Sequence, residues 1–354
     1  MPNNNRSLLM KRFVTIFSLL IAIVVGLYFL TLNSHKESND RFAVSWMRAW
    51  ATTGQVMCAL ENTNAATLTK SDATFPDFLF GPQMNEAAIA GEVDATNTGI
   101  VPTINLLSSD QNWIVVGRLI DFPVAIVVPQ ESDINSISDL RGKKVGVPFG
   151  GGSHPYIIQR LQENNLEIGS GNDAVELINL TPPDQPIAYK RGDIDAVATW
   201  EPQTAISLSQ KPSKIIDRDR HIGFLSVSKK YAQNNPQQVV NILKAYLLAN
   251  WYVTENRKIT DEWFASVSGF KDDLISRIEV IEPNLNAKKF TDISMMVSDA
   301  DIKTTQTVAD IMYQHKLTAR HVNFKSHVDM HYLEQALKDL PQLQELSQKI
   351  MEKD

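Results

Sequence analysis

Short apolar segments alternate with helical segments along most of the chain. The apolar runs at 42–46, 95–99 and 144–148 have the length and the bounding residues of buried strands. Residues 236–255 instead repeat apolar side chains at helical spacing after a proline, and the very apolar run at 113–128 is predicted to contain a core strand. This alternation of strands and helices predicts an α/β fold.

The segment 146–161, GVPFGGGSHPYIIQRL, predicts a strand, a glycine run and a helix that begins near Ser153. Glycines 150–152 remove side-chain bulk where the backbone approaches another group. Ser153 is a typical N-cap residue, and the N-terminus of a helix can hold an anion with its free N–H groups. The segment is therefore interpreted either as an anion site or as a tight turn.

A second strand–helix–strand segment spans 179–201, NLTPPDQPIAYKRGDIDAVATWE. A strand would end at Asn179, and the helix through Arg191 would end at Gly192 as its C-cap. The next strand then ends at Trp200 and Glu201. Open α/β sheets place their ligands at the carboxyl ends of their strands, so both side chains are predicted at a ligand cleft.

Three segments resemble one protein family: LRGKKVGVPFGGGSHPYIIQRLQ, NLTPPDQPIAYKRGDIDAVATWEP and MNEAAIAGEVDATNTGIVP. Over about residues 42–335 the chain is similar to the solute-binding proteins of taurine, aliphatic-sulfonate and nitrate-type ABC importers, with the taurine-binding branch most similar. The resemblance implies a type II periplasmic binding-protein fold, with two α/β lobes joined by two crossover strands. The expected parts are 38–128 and 223–354 for lobe 1 and 129–222 for lobe 2.

The N-terminus predicts export. Residues 13–32 are about 20 residues without a charge, long enough to cross a bilayer, and basic residues precede them. Residues 1–37 are interpreted as a cytoplasmic tail with a membrane anchor, or alternatively as a cleaved signal; no small-residue cleavage site follows the apolar run, in LTLNSHKE. The remaining chain would be periplasmic or otherwise extracytoplasmic, anchored to the cytoplasmic membrane. A formal net charge of −6 argues against a nucleic-acid partner.

Several residues are expected to face a small anionic ligand. Its anionic head would accept hydrogen bonds from the N–H groups at Gly151, Gly152, Ser153 and His154 and from the Ser153 hydroxyl. Thr98 and Gly99 end the strand at 95–99 and would face the same cleft. The tryptophans at the ends of two strands, Trp46 and Trp200, either form apolar walls of the cleft or pack in the core.

Charged candidates complete the predicted site. Arg118 and Asp121 interrupt the apolar run, so they either pair with each other or meet charged groups of the ligand. Asp121 or Glu201 would pair with an amine group of the ligand.

Other reactive side chains have structural explanations. Cys58, the only cysteine, is expected on the buried face of a helix. His327 and His331 are four residues apart but lack the glutamate of a zinc protease, and a solvated helix face is expected for them. No cofactor, metal or catalytic group is predicted.

The resemblance implies binding without chemistry. The chain would capture taurine or another alkylsulfonate between two lobes and present it to an ABC permease and its ATPase, as a monomer. A membrane-tethered sensor with the same module is the alternative. A thiamine-pyrimidine-type protein is a further alternative, although the related synthases carry a cysteine-rich motif that this chain lacks.

Overall fold

The computed structural model describes residues 41–353. The ten strands in this part are β1 (Phe42–Met47), β2 (Ala73–Thr74), β3 (Asp77–Phe78), β4 (Ala95–Gly99), β5 (Trp113–Pro129), β6 (Lys144–Val147), β7 (Glu167–Ile168), β8 (Ala174–Asn179), β9 (Ala196–Trp200) and β10 (Ser213–Ser228). The predicted anchor at 13–32 lies outside the described residues. Within them, no helix combines the length and the apolar character needed to cross a membrane.

Fourteen α-helices accompany these strands in the described part. They are α1 (Thr53–Asn62), α2 (Ala65–Leu68), α3 (Gly81–Ala90), α4 (Ile100–Ser109), α5 (Ser153–Glu163), α6 (Asp184–Arg191), α7 (Gln203–Gln210), α8 (Lys229–Asn234), α9 (Pro236–Glu255), α10 (Arg257–Ser268), α11 (Asp272–Ile275), α12 (Asp299–Gln314), α13 (His331–Lys338) and α14 (Leu340–Ser347). Short 3₁₀ helices lie at Ile137–Leu140, Pro283–Asn286, Phe290–Asp292 and Phe324–His327.

All ten strands belong to one mixed sheet. Its order is β2-β1-β4-β10-β5-β9-β6-β8-β7, and β3 also pairs with β1. Pairing is parallel among β1–β4 and among β6–β9, whereas β10 runs antiparallel to β4 and β5, and β5 antiparallel to β9. The mixed α/β architecture predicted from the sequence is confirmed.

The two long central strands connect two halves of this sheet. β4 pairs with β10 over 223–227, and β9 pairs with β5 over 124–127, so each long strand passes from one half to the other. We call β1–β4 the first half and β6–β9 the second half. The lobe boundaries expected at 128/129 and 222/223 fall inside β5 and β10.

The largest core includes the buried face of α9. This helix packs against α1, α2 and α13, and its buried residues include Tyr246 and Leu248. Cys58 lies fully buried on α1, as the sequence predicted, and burial raises the pKa of its thiol to about 12. A thiol in this environment is not ionised at neutral pH.

One local prediction was wrong. His327 and His331 do not share a helix: His327 ends a 3₁₀ helix and is buried, with Nδ1 3.1 Å from the carbonyl oxygen of Trp113. His331 begins α13, where Asp329 accepts a hydrogen bond from its backbone N–H.

Candidate functional site

A small cavity lies between the two halves of the sheet, at the carboxyl ends of β1, β4 and β9. Its volume is about 30 Å³. The first half of the sheet and its connections provide Met47, Trp50, Phe80, Gly81, Met84, Asn97, Thr98, Gly99 and Pro102, the long strand β5 provides Phe122, and the second half provides Gly151, Gly152 and Trp200. Five of the predicted site residues, Thr98, Gly99, Gly151, Gly152 and Trp200, are thus brought together here.

The glycine run closely approaches neighbouring side chains. A Cβ atom on Gly151 would lie 2.7 Å from Cη2 of Trp200, and one on Gly152 would lie 3.2 Å from Nδ1 of His221. Gly150 has a φ of 77°, a conformation that favours glycine. Glycine is therefore required at 151 and favoured at 150, whereas a side chain at 152 would need a small shift of His221.

Helix α5 points its N-terminus at this run, although its cap differs from the prediction. Ser153 is the first residue of the helix and Gly152 is the N-cap, so Ser153 does not cap the helix with its hydroxyl. Its Oγ atom is fully buried and has no hydrogen-bond partner among the described residues. A buried hydroxyl without a partner is costly. Ser153 follows Gly152 along the chain but does not itself line the cavity.

The backbone donors at this helix end are fewer than the sequence predicted. The N–H of Gly151 donates to the carbonyl of Pro148 at 3.0 Å, and that of His154 donates to the carbonyl of Gly151 at 3.1 Å. Within residues 41–353, the N–H groups of Gly152 and Ser153 have no acceptor. These two donors carry the partial positive charge of the helix terminus.

The end of β4 supplies a polar wall of the cavity on the side of the first half of the sheet. The Thr98 hydroxyl is paired with that of Thr103 at 2.9 Å. Asn97, a lining residue that the sequence did not suggest, donates from Nδ2 to the Tyr246 hydroxyl at 3.3 Å. Its Oδ1 atom is buried and has no partner in the described part of the chain, so it is a free acceptor at the cavity wall.

Aromatic side chains form most of the remaining wall. Trp50 meets Phe122 edge to face, with ring centroids 5.0 Å apart, and Trp200 lies against Gly151. Trp46 belongs to the core instead, where its Nε1 donates to the carbonyl of Phe75 at 3.0 Å. Trp50 follows the carboxyl end of β1, so the rule that placed Trp46 at the cleft could also have indicated Trp50.

Asp121 lies outside the cavity lining, in a buried ion-pair network. One of its oxygens is 2.9 Å from Nη2 of Arg118, and both accept hydrogen bonds from Arg220 at 2.7 Å. Arg118 also pairs with Glu282 at 2.7 Å, and Arg220 pairs with Asp301 at 2.9 Å. Arg118 and Asp121 therefore pair with each other, which is the first of the two alternatives that the sequence left open. Both oxygens of Asp121 accept hydrogen bonds from arginines.

Glu201 and His154 lie near the cavity but do not line it. Glu201 accepts hydrogen bonds from the N–H groups of Ala205 at 3.1 Å and Glu279 at 3.4 Å, and burial raises its pKa to about 7. The ring of His154 stacks on Phe149 with centroids 4.2 Å apart. Burial lowers the pKa of His154 to about 4, so this imidazole is neutral at neutral pH.

His221 is a site neighbour that the sequence did not indicate. It lies on β10 directly opposite Phe122 of β5, it is 3% exposed, and its Nδ1 has no partner among residues 41–353. Burial lowers its pKa to about 4. Across the described residues, no group of three or more His, Cys, Asp or Glu side chains is arranged to hold a metal ion.

Comparisons with known proteins agree with this architecture. An Escherichia coli protein named for binding aliphatic sulfonates is 25% identical over 265 residues, which cover 73% of this chain and 80% of that protein. The taurine-binding periplasmic protein of the same organism is 28% identical over 176 residues, covering 47% of this chain and 52% of that protein.

The fold is also that of a solved binding protein. The crystal structure of the periplasmic aliphatic sulphonate binding protein SsuA from Escherichia coli matches with a TM-score of 0.65 and 21% identity, covering 82% of this chain and 92% of that one. The model of the NMT1-like family matches residues 81–266, which is more than half of the chain and includes β4 to β10. The chain therefore belongs to the NMT1-like family.

Proposed function

We propose that the protein is an extracytoplasmic solute-binding protein of an ABC importer that captures a small sulfonate between its two lobes. One observation carries the proposal: the free N–H groups of Gly152 and Ser153 and the unpartnered Ser153 hydroxyl lie together at the glycine run beside the cavity. The names of the relatives support the same ligand class.

A sulfonate suits these donors. It keeps its negative charge throughout the physiological pH range and offers three acceptor oxygens, whereas the helix terminus supplies N–H donors and a partial positive charge. No basic side chain lines the cavity in the described part of the chain. A single negative charge therefore fits better than the double charge of sulfate or phosphate.

The walls favour an alkylsulfonate over taurine. Trp50, Phe122 and Trp200 present aromatic surface, and within the described residues no carboxylate lines the cavity to meet an ammonium group. The amide oxygen of Asn97 is a neutral acceptor. Burying an unpaired ammonium in such a place is costly, so the amine of taurine lowers its affinity relative to ethanesulfonate.

Binding is the proposed role of the cleft, without a chemical step. A ligand that contacts both lobes stabilises the closed arrangement, which a permease can distinguish from the open one. The apolar segment at 13–32 would hold the chain in the membrane beside that permease, which raises its effective concentration there.

Calorimetric titration of the full-length protein with ethanesulfonate, taurine, nitrate and a thiamine precursor tests this proposal. We expect ethanesulfonate to bind in the micromolar range or tighter. The substitution Ser153→Asp places a negative charge beside the sulfonate, so it should weaken binding at least about 100-fold.

The matched control is Ser170→Asp, which adds the same charge at an exposed position of the same half of the sheet. It should bind like the unsubstituted protein. Failure of every sulfonate to bind, or ordinary affinity in Ser153→Asp, would contradict the proposal.

A further inference from the structure

A second, larger space, the outer groove, is lined from both halves of the sheet and shares no lining residue with the cavity. Its volume is about 960 Å³. Small-molecule pockets usually occupy roughly 300–1,000 Å³, so the groove has room for a ligand of its own. The first half contributes α3 and the segment before it, and the second half contributes the start of α6 and one face of α7.

Helix α3 presents negative charge to the outer groove. Glu86 and Glu92 line it near the C-terminal end of α3, one on the helix and the other just after its C-cap, Gly91. Both glutamates are exposed, and neither has an ion-pair partner among residues 41–353. The C-terminus of a helix carries a partial negative charge, and no basic residue in the last turn of α3 offsets it. Negative charge is therefore concentrated at this end of the groove.

The basic side chain in the lining does not compensate for these two carboxylates. In the described part of the chain, Arg48 is the only basic residue that lines the outer groove. Its Nη2 lies 2.6 Å from a carboxylate oxygen of Asp77, which is another lining residue, so these two charges offset each other. The charges of Glu86 and Glu92 remain. They attract a cation that enters the groove and repel an anion.

Helix α7 presents hydrogen-bond acceptors from the second half of the sheet. Gln203, Ile206 and Gln210 lie on one face of this helix and line the outer groove. Gln203 is 2% exposed, and the Oε1 atoms of both glutamines are buried without a partner among the described residues. A buried amide oxygen that lacks a donor is costly. These side chains therefore favour a ligand that brings N–H groups.

Apolar side chains form much of the remaining lining. Leu79 of the first half is 44% exposed and Ile187 of the second half is 54% exposed, so both present free apolar surface to the outer groove. Phe78 and Phe270 add aromatic surface. Alkyl groups would cover the aliphatic walls, and a planar guanidinium can stack on an aromatic ring.

We propose that the outer groove binds a small organic cation, an alkylguanidinium or an alkylammonium, at a site separate from the cavity. The charged group would lie near Glu86 and Glu92, and its remaining N–H donors would face the amide oxygens of α7. The alkyl body would cover Leu79 and Ile187. This inference goes beyond the proposed function and does not depend on it.

Titration with cationic and neutral ligands of equal chain length tests the inference. The full-length protein is titrated calorimetrically with butylguanidinium, butylammonium and 1-butanol. We expect both cations to bind at least about tenfold more tightly than 1-butanol, which has the same alkyl chain without the charge. Equal binding of cations and 1-butanol, or no binding of either cation, would overturn the inference.

Substitution of the two glutamates locates the cation. Glu86→Gln combined with Glu92→Gln should lower the affinity for butylguanidinium at least about tenfold, because both charges are removed. Glu345→Gln is the matched control, since Glu345 is exposed on α14 and does not line the outer groove. Its affinity should equal that of the unsubstituted protein. An unchanged affinity in the double variant would show that the cation binds elsewhere and would overturn the inference.

Gln203→Leu tests the contribution of α7. Leucine is similar in size and lacks the buried oxygen, so the variant should bind butylguanidinium at least about threefold more weakly. Its free energy of unfolding, measured with urea, should not fall, because the oxygen that is removed has no partner in the protein. Unchanged affinity in this variant would contradict the inference, since the cation would not contact α7.

Ethanesulfonate is titrated into the same samples. Binding of ethanesulfonate without binding of either cation would overturn this inference and leave the proposed function intact. Binding of the cations without binding of any sulfonate would support this inference and contradict the proposed function.

Discussion

At the scale of single residues, burial sets the protonation of the groups beside the cavity. It raises the pKa of Glu201 and lowers those of His154 and His221, which leaves both imidazoles uncharged at neutral pH. No imidazolium is then present next to the glycine run. In the proposed complex the charge of the anion would therefore be met by backbone N–H groups, whose donor strength does not change with pH.

Glu201 should make stability depend on pH. Its pKa rises from 4.5 to about 7 on folding, so between these values the native state binds more protons than the unfolded state. Stability should therefore fall as the pH rises from 4.5 to 7, by about 3 kcal/mol from this group. Glu201→Gln cannot ionise at this position, so urea unfolding at pH 4.5 and pH 8 should show the unsubstituted protein losing about 3 kcal/mol relative to Glu201→Gln. Parallel pH profiles would contradict the assignment.

At the scale of secondary-structure elements, the ion-pair network joins β5, β10 and the C-terminal segment. Arg118 and Asp121 lie on β5, Arg220 on β10, and Glu282 and Asp301 come from the segment after α11. Because β5 and β10 connect the two halves of the sheet, these ion pairs link the C-terminal segment to the strands that join the halves.

Asp121→Asn should therefore lower the stability of the fold and leave the preference between ligands unchanged. In this variant Arg118 still pairs with Glu282, and Arg220 still pairs with Asp301. The free energy of unfolding, measured with urea, should therefore fall by about 2 kcal/mol. Asp193→Asn, which breaks an exposed pair with Arg191, should lose less than about 0.5 kcal/mol. The ratio of taurine to ethanesulfonate affinity should stay constant in Asp121→Asn; a selective loss of taurine binding would instead assign Asp121 to the ligand.

Local sequence patterns predicted the elements but not all of their contacts. Strand and helix signals located β4, α5 and α9, and the glycine run indicated a close approach of the backbone, because these features depend on neighbouring residues. The partner of Arg118, Glu282, is 164 residues away, and no local pattern could identify it. Whether Trp46 or Trp50 lines the cavity depends on which face of β1 meets the core and on the turn after β1. The spacing of residues in the sequence does not determine either of these.

At the scale of the whole molecule, the two long strands place the two walls of the site. The first half of the sheet contributes the end of β4, the second contributes the glycine run and Trp200, and β5 passes between them with Phe122. A ligand in this cavity would contact both halves at once. Under the proposed function, binding would then depend on the relative position of the two halves.

The most direct test is a crystal structure of the protein with 2-bromoethanesulfonate, in which anomalous scattering locates the bromine. Sulfonate oxygens should lie within hydrogen-bonding distance, about 2.7–3.2 Å, of the N–H groups of Gly152 and Ser153. The bromine should lie on the side of Trp50 and Trp200. A sulfonate bound away from the glycine run would contradict the proposed anion site.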